Sequence, residues 1–171
     1  MGRKKKESKS QKDIIAVGEI CPDFTAIDQS GNQVSLKSFK GKTIVLYFYP
    51  KDNTPGCTKE ACSIRDRYAS FKKKNIIVLG VSKDTEASHQ KFIDKYELPF
   101  TLLADTDKNL QMSFGVWQEK NMYGKKVMGT VRTTFIIGPS GKIEYVFHKN
   151  EIDCEKHAED VLEKLEELKL I

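Results

Sequence analysis

Thr43-Ile-Val-Leu-Tyr-Phe-Tyr49 and Ile76-Ile-Val-Leu-Gly-Val81 are two continuous apolar runs rich in β-formers. Between them lie Pro50-Lys-Asp-Asn-Thr54-Pro-Gly-Cys57 and then Ala61, Ile64, Tyr68 and Phe71, spaced by three and four. A run with no polar alternation reads as a strand buried on both faces. The three-and-four spacing marks one face of a helix. Strand, helix, strand in this order predicts a βαβ unit with a right-handed crossover.

The flanks extend the same pattern. Upstream, Ile27 and Val34 bracket Asp28-Gln-Ser-Gly31-Asn32, a turn signature that predicts a small N-terminal hairpin. Downstream, Glu86 to Tyr96 reads as a helix with Phe92, Ile93 and Tyr96 on its apolar side, and Pro99 ends that region. Thr101-Leu-Leu-Ala104 reads as a short strand, and Leu110 with Phe114 as a short helix. Thr133 to Ile137 and Ile143 to Phe147 flank Gly138-Pro-Ser-Gly141, a hairpin signal. Ala158, Val161, Leu162, Leu165 and Leu168 mark a final helix, with Asp153 as its expected N-cap. The sum is an α/β chain with a mixed β-sheet flanked by helices, the arrangement a thioredoxin-like fold requires.

At 171 residues the chain has room for one domain with a real core. Apolar residues are 39% and charged residues 31%, which fits a globular chain, and no stretch approaches the roughly 20 apolar residues of a membrane span. The net charge of +5 suggests nucleic acid at first sight, but its location argues otherwise. Residues 1–12 carry Arg3, Lys4, Lys5, Lys6, Lys9 and Lys12 against Glu7, which accounts for the whole excess. Residues 1–12 therefore read as a disordered basic arm, and residues 13–171 as one neutral domain. Nuclear targeting or polyanion binding by the arm is the sharper alternative to a plain solvated segment. The lysine-rich start is not a secretory signal, so a cytoplasmic chain with reduced cysteines is expected.

The four cysteines are Cys21, Cys57, Cys62 and Cys154. Cys57 follows a strand and a Thr-Pro-Gly turn and precedes a helix. It is expected in the first helical turn, where unpartnered backbone N–H groups and the helix dipole favour the thiolate, the nucleophilic form. Thr54 offers a hydroxyl three residues earlier, Pro55 suits a helix start, and Gly56 allows close approach. Cys62 is five residues on, roughly 8.6 Å away between Cα atoms in a regular helix. A disulfide needs less than about 7 Å, so Cys57 and Cys62 could pair only if the first turn unwound.

The run Pro50-x-x-x-Thr54-x-x-Cys57 resembles the active-site motif of the peroxiredoxins. Cys62 at the fifth position after it is similar to the bacterioferritin comigratory protein, or peroxiredoxin Q, subgroup. Gly18-Glu-x-x-Pro-Asp-Phe24, Glu60, Tyr123-Gly-Lys-Lys and Gly129-x-x-Arg132-x-Thr134-Phe135 extend the resemblance over about residues 14 to 170. It implies a thioredoxin fold and reduction of hydrogen peroxide and organic hydroperoxides. Cys57 would be the peroxidatic cysteine, Cys62 the resolving cysteine, and Cys57–Cys62 the redox disulfide. Arg132 would hold the thiolate and polarise the peroxide, Thr54 would bond the peroxide oxygens, and Pro50 would shield the site. Thioredoxin or a similar dithiol would regenerate the enzyme, with no cofactor and no metal. The subgroup suggests a monomer, or at most a weak dimer.

From pattern alone Arg132 is a solvated arginine at a strand start, and only the resemblance raises it. Glu60 is read as favouring the first helical turn rather than as catalytic. Cys21 and Cys154 depart from the subgroup pattern and read as spectators, although Cys154 could compete with Cys62 or bridge two chains. Trp117 and Tyr123 read as packing residues of a loop, and His89, His148 and His157 receive no role. Two other classes compete. A Cys3His zinc site would use Cys57, Cys62, Cys154 and His157, but that spacing is loose. A disulfide reductase would need Cys-x-x-Cys, which is absent. No P-loop sequence is present.

Overall fold

A computed structural model describes residues 12–171. Residues 1–11 of the basic arm lie outside the described residues; Lys12 is described and donates through Nζ to the Ser113 carbonyl at 2.6 Å. The predicted βαβ unit is present: β3 (Ile44–Phe48), α1 (Pro55–Lys73) and β4 (Ile77–Ser82). β3 and β4 pair in parallel, Ile44 with Ile77 through Phe48 with Val81. Upstream are β1 (Thr25–Asp28) and β2 (Gln33–Ser35). Downstream are α2 (Glu86–Tyr96), β5 (Thr101–Ala104), α3 (Asn109–Ser113), β6 (Trp117–Met122), β7 (Lys125–Thr130), β8 (Thr133–Ile137), β9 (Ile143–Phe147) and α4 (His157–Glu167). The main sheet has seven strands in the order β2-β1-β5-β4-β3-β8-β9. β4 and β5 are parallel, while β1, β2, β8 and β9 join antiparallel, so the sheet is mixed as expected.

The unbroken apolar run of β3 follows from its place near the sheet centre. Successive strand side chains point to opposite faces. Val45, Tyr47 and Tyr49 enter one core with Ile64 and Phe71 of α1, Phe92 of α2, and Val161 and Leu165 of α4. Ile44, Leu46 and Phe48 enter the other with Phe24, Leu110, Phe114 and Phe135. Burying each such side chain fully is worth about 1.5–3 kcal/mol, so neither face of β3 tolerates a polar residue.

Two details differ from the sequence reading. Asp153 is not the cap of the last helix; α4 starts four residues later, after Lys156. Asp153 instead closes a turn, its carboxylate accepting from the Glu155 N–H at 3.1 Å and its carbonyl from the Lys156 N–H at 3.1 Å. The region around Trp117 and Tyr123 is not a loop but a separate two-stranded sheet of β6 and β7. Tyr123 is fully exposed at its turn with φ 52°, followed by Gly124 at φ 78°. A pair of positive φ angles is the demand of a tight hairpin, and Gly124 meets it without strain. No helix among the described residues is long and apolar enough to cross a membrane.

Candidate active site

The site forms where β3 ends. Thr54 is the N-cap of α1 in extended conformation (φ −95°, ψ 156°), and Pro55 occupies the first helical position. The first backbone bond of the helix runs from the Thr58 N–H to the Thr54 carbonyl at 2.8 Å. The N–H groups of Gly56 and Cys57 precede it and point out of the helix end. Cys57 is in the first turn, as expected, and is only 2% exposed. Pro50 and Thr54 are half-buried, and the Thr54 hydroxyl donates to the Lys51 carbonyl at 2.9 Å.

The loop that delivers α1 is held from below. The Asp52 carboxylate accepts from Tyr49 Oη at 2.6 Å and from Ser88 Oγ at 2.8 Å, and lies 2.7 Å from His89 Nδ1. The other ring nitrogen of His89 meets the Leu103 carbonyl at 2.9 Å. The Asp52 N–H donates to Asp84 at 2.8 Å. His89 therefore ties α2 and β5 to the loop between Pro50 and Thr54. Its sequence surroundings give no hint of this, because its partners are 37 and 14 residues away.

Arg132 reaches the site through strand register. Thr133 of β8 pairs with Phe48 of β3, so the residue before Thr133 lies level with the end of β3. Arg132 Nη2 donates to Cys57 Sγ at 3.2 Å, and Nη1 donates to Glu60 Oε1 at 2.6 Å. Its side chain is 16% exposed, so it is no solvated surface residue. Burial opposes the charge, but Glu60 and Cys57 beside it hold the guanidinium above its ordinary range.

Behind Arg132 lies a buried polar cluster that the sequence reading did not anticipate. Glu60 is wholly buried, and burial pushes its carboxyl up to about 7 against the pull of Arg132. Its Oε2 makes no hydrogen bond and lies 3.7 Å from His157 Nε2. That same nitrogen is 2.7 Å from Thr134 Oγ1. Burial, and then the charge of Arg132, push His157 down to about 4, so its imidazole is neutral at pH 7. The Tyr47 hydroxyl is also buried without a hydrogen-bond partner; burial, then the charges of Glu60 and Cys57, raise it. Glu60 follows Cys57 by three residues, one helical turn, and that spacing was the available signal for it.

The four cysteines are free and differ in setting. Burial, with Asp23 adding to it, pushes the Cys21 thiol up to about 12, the setting of an inert core residue. Cys62 is half-buried on an unbroken α1, its thiol raised by burial and drawn back by Arg65. Cys154 is half-buried beside the site: a Cβ added to Gly56 would lie 3.3 Å from Arg132 Nη2 and 3.9 Å from Cys154 Sγ. The zinc arrangement is not assembled. His157 Nε2 faces Thr134, and among the described residues no three His, Cys, Asp or Glu side chains converge on a metal position.

A cysteine at a helix N-terminus, hydrogen-bonded by a largely buried arginine, stands where the negative charge of a thiolate would be compensated. Known proteins agree with that chemistry. The AhpC/TSA family pattern matches residues 17–146. The chain is 47% identical over 151 residues to a putative peroxiredoxin bcp of Coxiella burnetii, covering 88% of this chain and 99% of that one. It is 41% identical to peroxiredoxin Bcp of Bacillus subtilis, covering 90% and 97%. Among solved structures, a trapped intermediate/ligand complex of Xanthomonas campestris bacterioferritin comigratory protein, studied for alkyl peroxide reduction, superposes with a TM-score of 0.79. It is 38% identical, over 84% of this chain and 90% of that one. The chain belongs to the AhpC/TSA family, as a peroxiredoxin of the Bcp and peroxiredoxin Q group with the thioredoxin-like fold, and it is a thiol peroxidase.

Proposed function

We propose that Cys57 is the peroxidatic cysteine and that the surrounding groups divide the work as follows. The Cys57 thiolate attacks one peroxide oxygen, the O–O bond breaks, and the second oxygen leaves as water or an alcohol. Cys57 is left as the sulfenic acid. Arg132 and the N–H groups at the start of α1 face the oxygens on which charge develops. The Thr54 hydroxyl turns from the Lys51 carbonyl to the peroxide, and Pro50 keeps water from the reacting sulfur. The first turn of α1 then unwinds, Cys62 condenses with the sulfenic acid, and water is released. The Cys57–Cys62 disulfide is reset by thiol–disulfide exchange with thioredoxin or a similar dithiol.

The observation that carries this reading is the 3.2 Å contact from Arg132 Nη2 to Cys57 Sγ at the first turn of a helix. Substrates are hydrogen peroxide and organic hydroperoxides, in keeping with the alkyl peroxide reduction studied in the Xanthomonas relative. The enzyme works as a cytoplasmic monomer in antioxidant defence, without cofactor, metal, nucleic acid or membrane. Residues 13–171 form its catalytic domain.

Trapping the sulfenic acid tests the reading. The Cys62→Ser/Cys154→Ser variant is treated with one equivalent of peroxide in the presence of dimedone, and peptides are mapped by mass spectrometry. The adduct is expected on Cys57. An adduct on Cys21, or none, would overturn the assignment.

A further inference from the structure

We infer that Cys154 is a second resolving thiol, able to capture the Cys57 sulfenic acid as an intrachain Cys57–Cys154 disulfide. This rests on the reading of Cys57 as peroxidatic. It adds a residue that neither the helix motif nor the Cys62 spacing points to.

Three observations carry it. The first is position. Cys154 Sγ lies 3.9 Å from where a Cβ on Gly56 would sit, and Gly56 is the residue immediately before Cys57. Arg132 Nη2 lies 3.3 Å from that same point and 3.2 Å from Cys57 Sγ, so Cys154 stands at the same corner of the site. A side chain at position 56 would stand in this space, and glycine leaves it open.

The second is the way the segment carrying Cys154 is fastened across the start of α1. Glu155 pairs with Lys59 at 3.2 Å, and the Ala158 N–H donates to Ser63 Oγ at 3.0 Å. His157 is anchored to Thr134 at 2.7 Å. These ties lie immediately after Cys154 and hold it against the turn that carries Cys57. Cys154 is half-buried rather than sealed, and Arg132 draws its thiol back from the rise that burial imposes.

The third is the contrast with Cys62. α1 is continuous from Pro55 to Lys73, and in such a helix residues five apart stand roughly 8.6 Å apart between Cα atoms. Pairing with Cys62 requires the turn to open first. Cys154 lies outside α1, so the spacing within that helix sets no such limit on it. Cys154 therefore offers Cys57 a second partner that the spacing within α1 does not hold away.

The chemistry balances. The Cys154 sulfur attacks the Cys57 sulfur, an S–S bond forms and the S–O bond breaks. The departing oxygen takes the Cys154 proton and leaves as water. A dithiol then supplies two electrons and two protons to restore both thiols.

The test compares Cys62→Ser with Cys62→Ser/Cys154→Ser and Cys62→Ser/Cys154→Ala under a tenfold excess of hydrogen peroxide without reductant. Free thiols are alkylated and peptides are mapped. Circular dichroism confirms that each variant is folded. In Cys62→Ser most chains are expected to carry a Cys57–Cys154 linkage, running as a monomer on a non-reducing gel. In both double variants Cys57 should proceed to sulfinic acid, about tenfold faster or more. Absence of the linked peptide, overoxidation of Cys62→Ser at the rate of the double variants, or a covalent dimer would each overturn the inference. Peroxide consumption by Cys57→Ser would instead overturn the peroxidatic assignment, so the two failures are separable.

Discussion

Replacing Glu60 by glutamine tests the electrostatics behind the reactive sulfur. The wild-type carboxyl is wholly buried, with its proton held up to about 7, whereas in the unfolded chain it titrates near 4.5. Between those values the folded chain binds the proton and the unfolded chain has released it. Stability must therefore fall as pH rises through this window. The gap corresponds to on the order of 3 kcal/mol, most of which develops between pH 5 and pH 8. Glu60→Gln keeps the volume and an acceptor for Arg132 but removes the ionisation. His157, displaced in the opposite direction to about 4, is already neutral in the fold across this interval. Urea unfolding of the reduced proteins, followed by circular dichroism at pH 5 and pH 8, reads the effect. The variant should gain about 2 to 3 kcal/mol relative to wild type across that interval. A relative stability that is flat, or that falls with pH, would mean Arg132 holds Glu60 ionised at neutral pH, and the reasoning would fail.

Two further outcomes follow from the same geometry. Arg132→Met removes the charged donor 3.2 Å from Cys57 Sγ, and peroxide reduction measured by stopped flow should slow by about 10²–10³-fold; Arg132→Lys should be intermediate, because an ammonium cannot serve Cys57 and Glu60 as a planar fork does. Disulfide formation should accelerate as pH rises from 6 to 8, since burial raises both the Cys62 and Cys154 thiols above 9.0 and the thiolate is the attacking form. Rapid-quench alkylation follows that step, and a rate independent of pH would show that helix opening, not thiol ionisation, limits it.

How far the sequence could be read depended on which residues face a core. β3 announced itself because Val45, Tyr47 and Tyr49 serve one core and Ile44, Leu46 and Phe48 the other, leaving no polar position. β6 and β7 did not, because most of their residues are exposed and no alternation marks them. Their one signal was Tyr123-Gly124, a turn dipeptide noticed only as part of a family resemblance. Cys57 was legible from strand, turn and helix alone. Arg132 is 75 residues from Cys57 and meets it only through the pairing of β8 with β3, which no local pattern encodes. Glu60 and His157 were hidden for a different reason. Each sits among charged neighbours, Lys59 and Lys156, so its burial cannot be told from a solvated helix face. Cys154 reads as a spectator because the subgroup pattern has no cysteine there, and the fold brings it to the edge of Gly56.

The central claim is that catalysis passes through the Cys57 sulfur. Hydrogen peroxide consumption by reduced wild type and by Cys57→Ser, each supplied with a thioredoxin system, tests it most directly. Wild type should turn over, and Cys57→Ser should consume peroxide no faster than the reductant alone. Turnover by Cys57→Ser approaching that of wild type would contradict the account, whatever the other cysteines do.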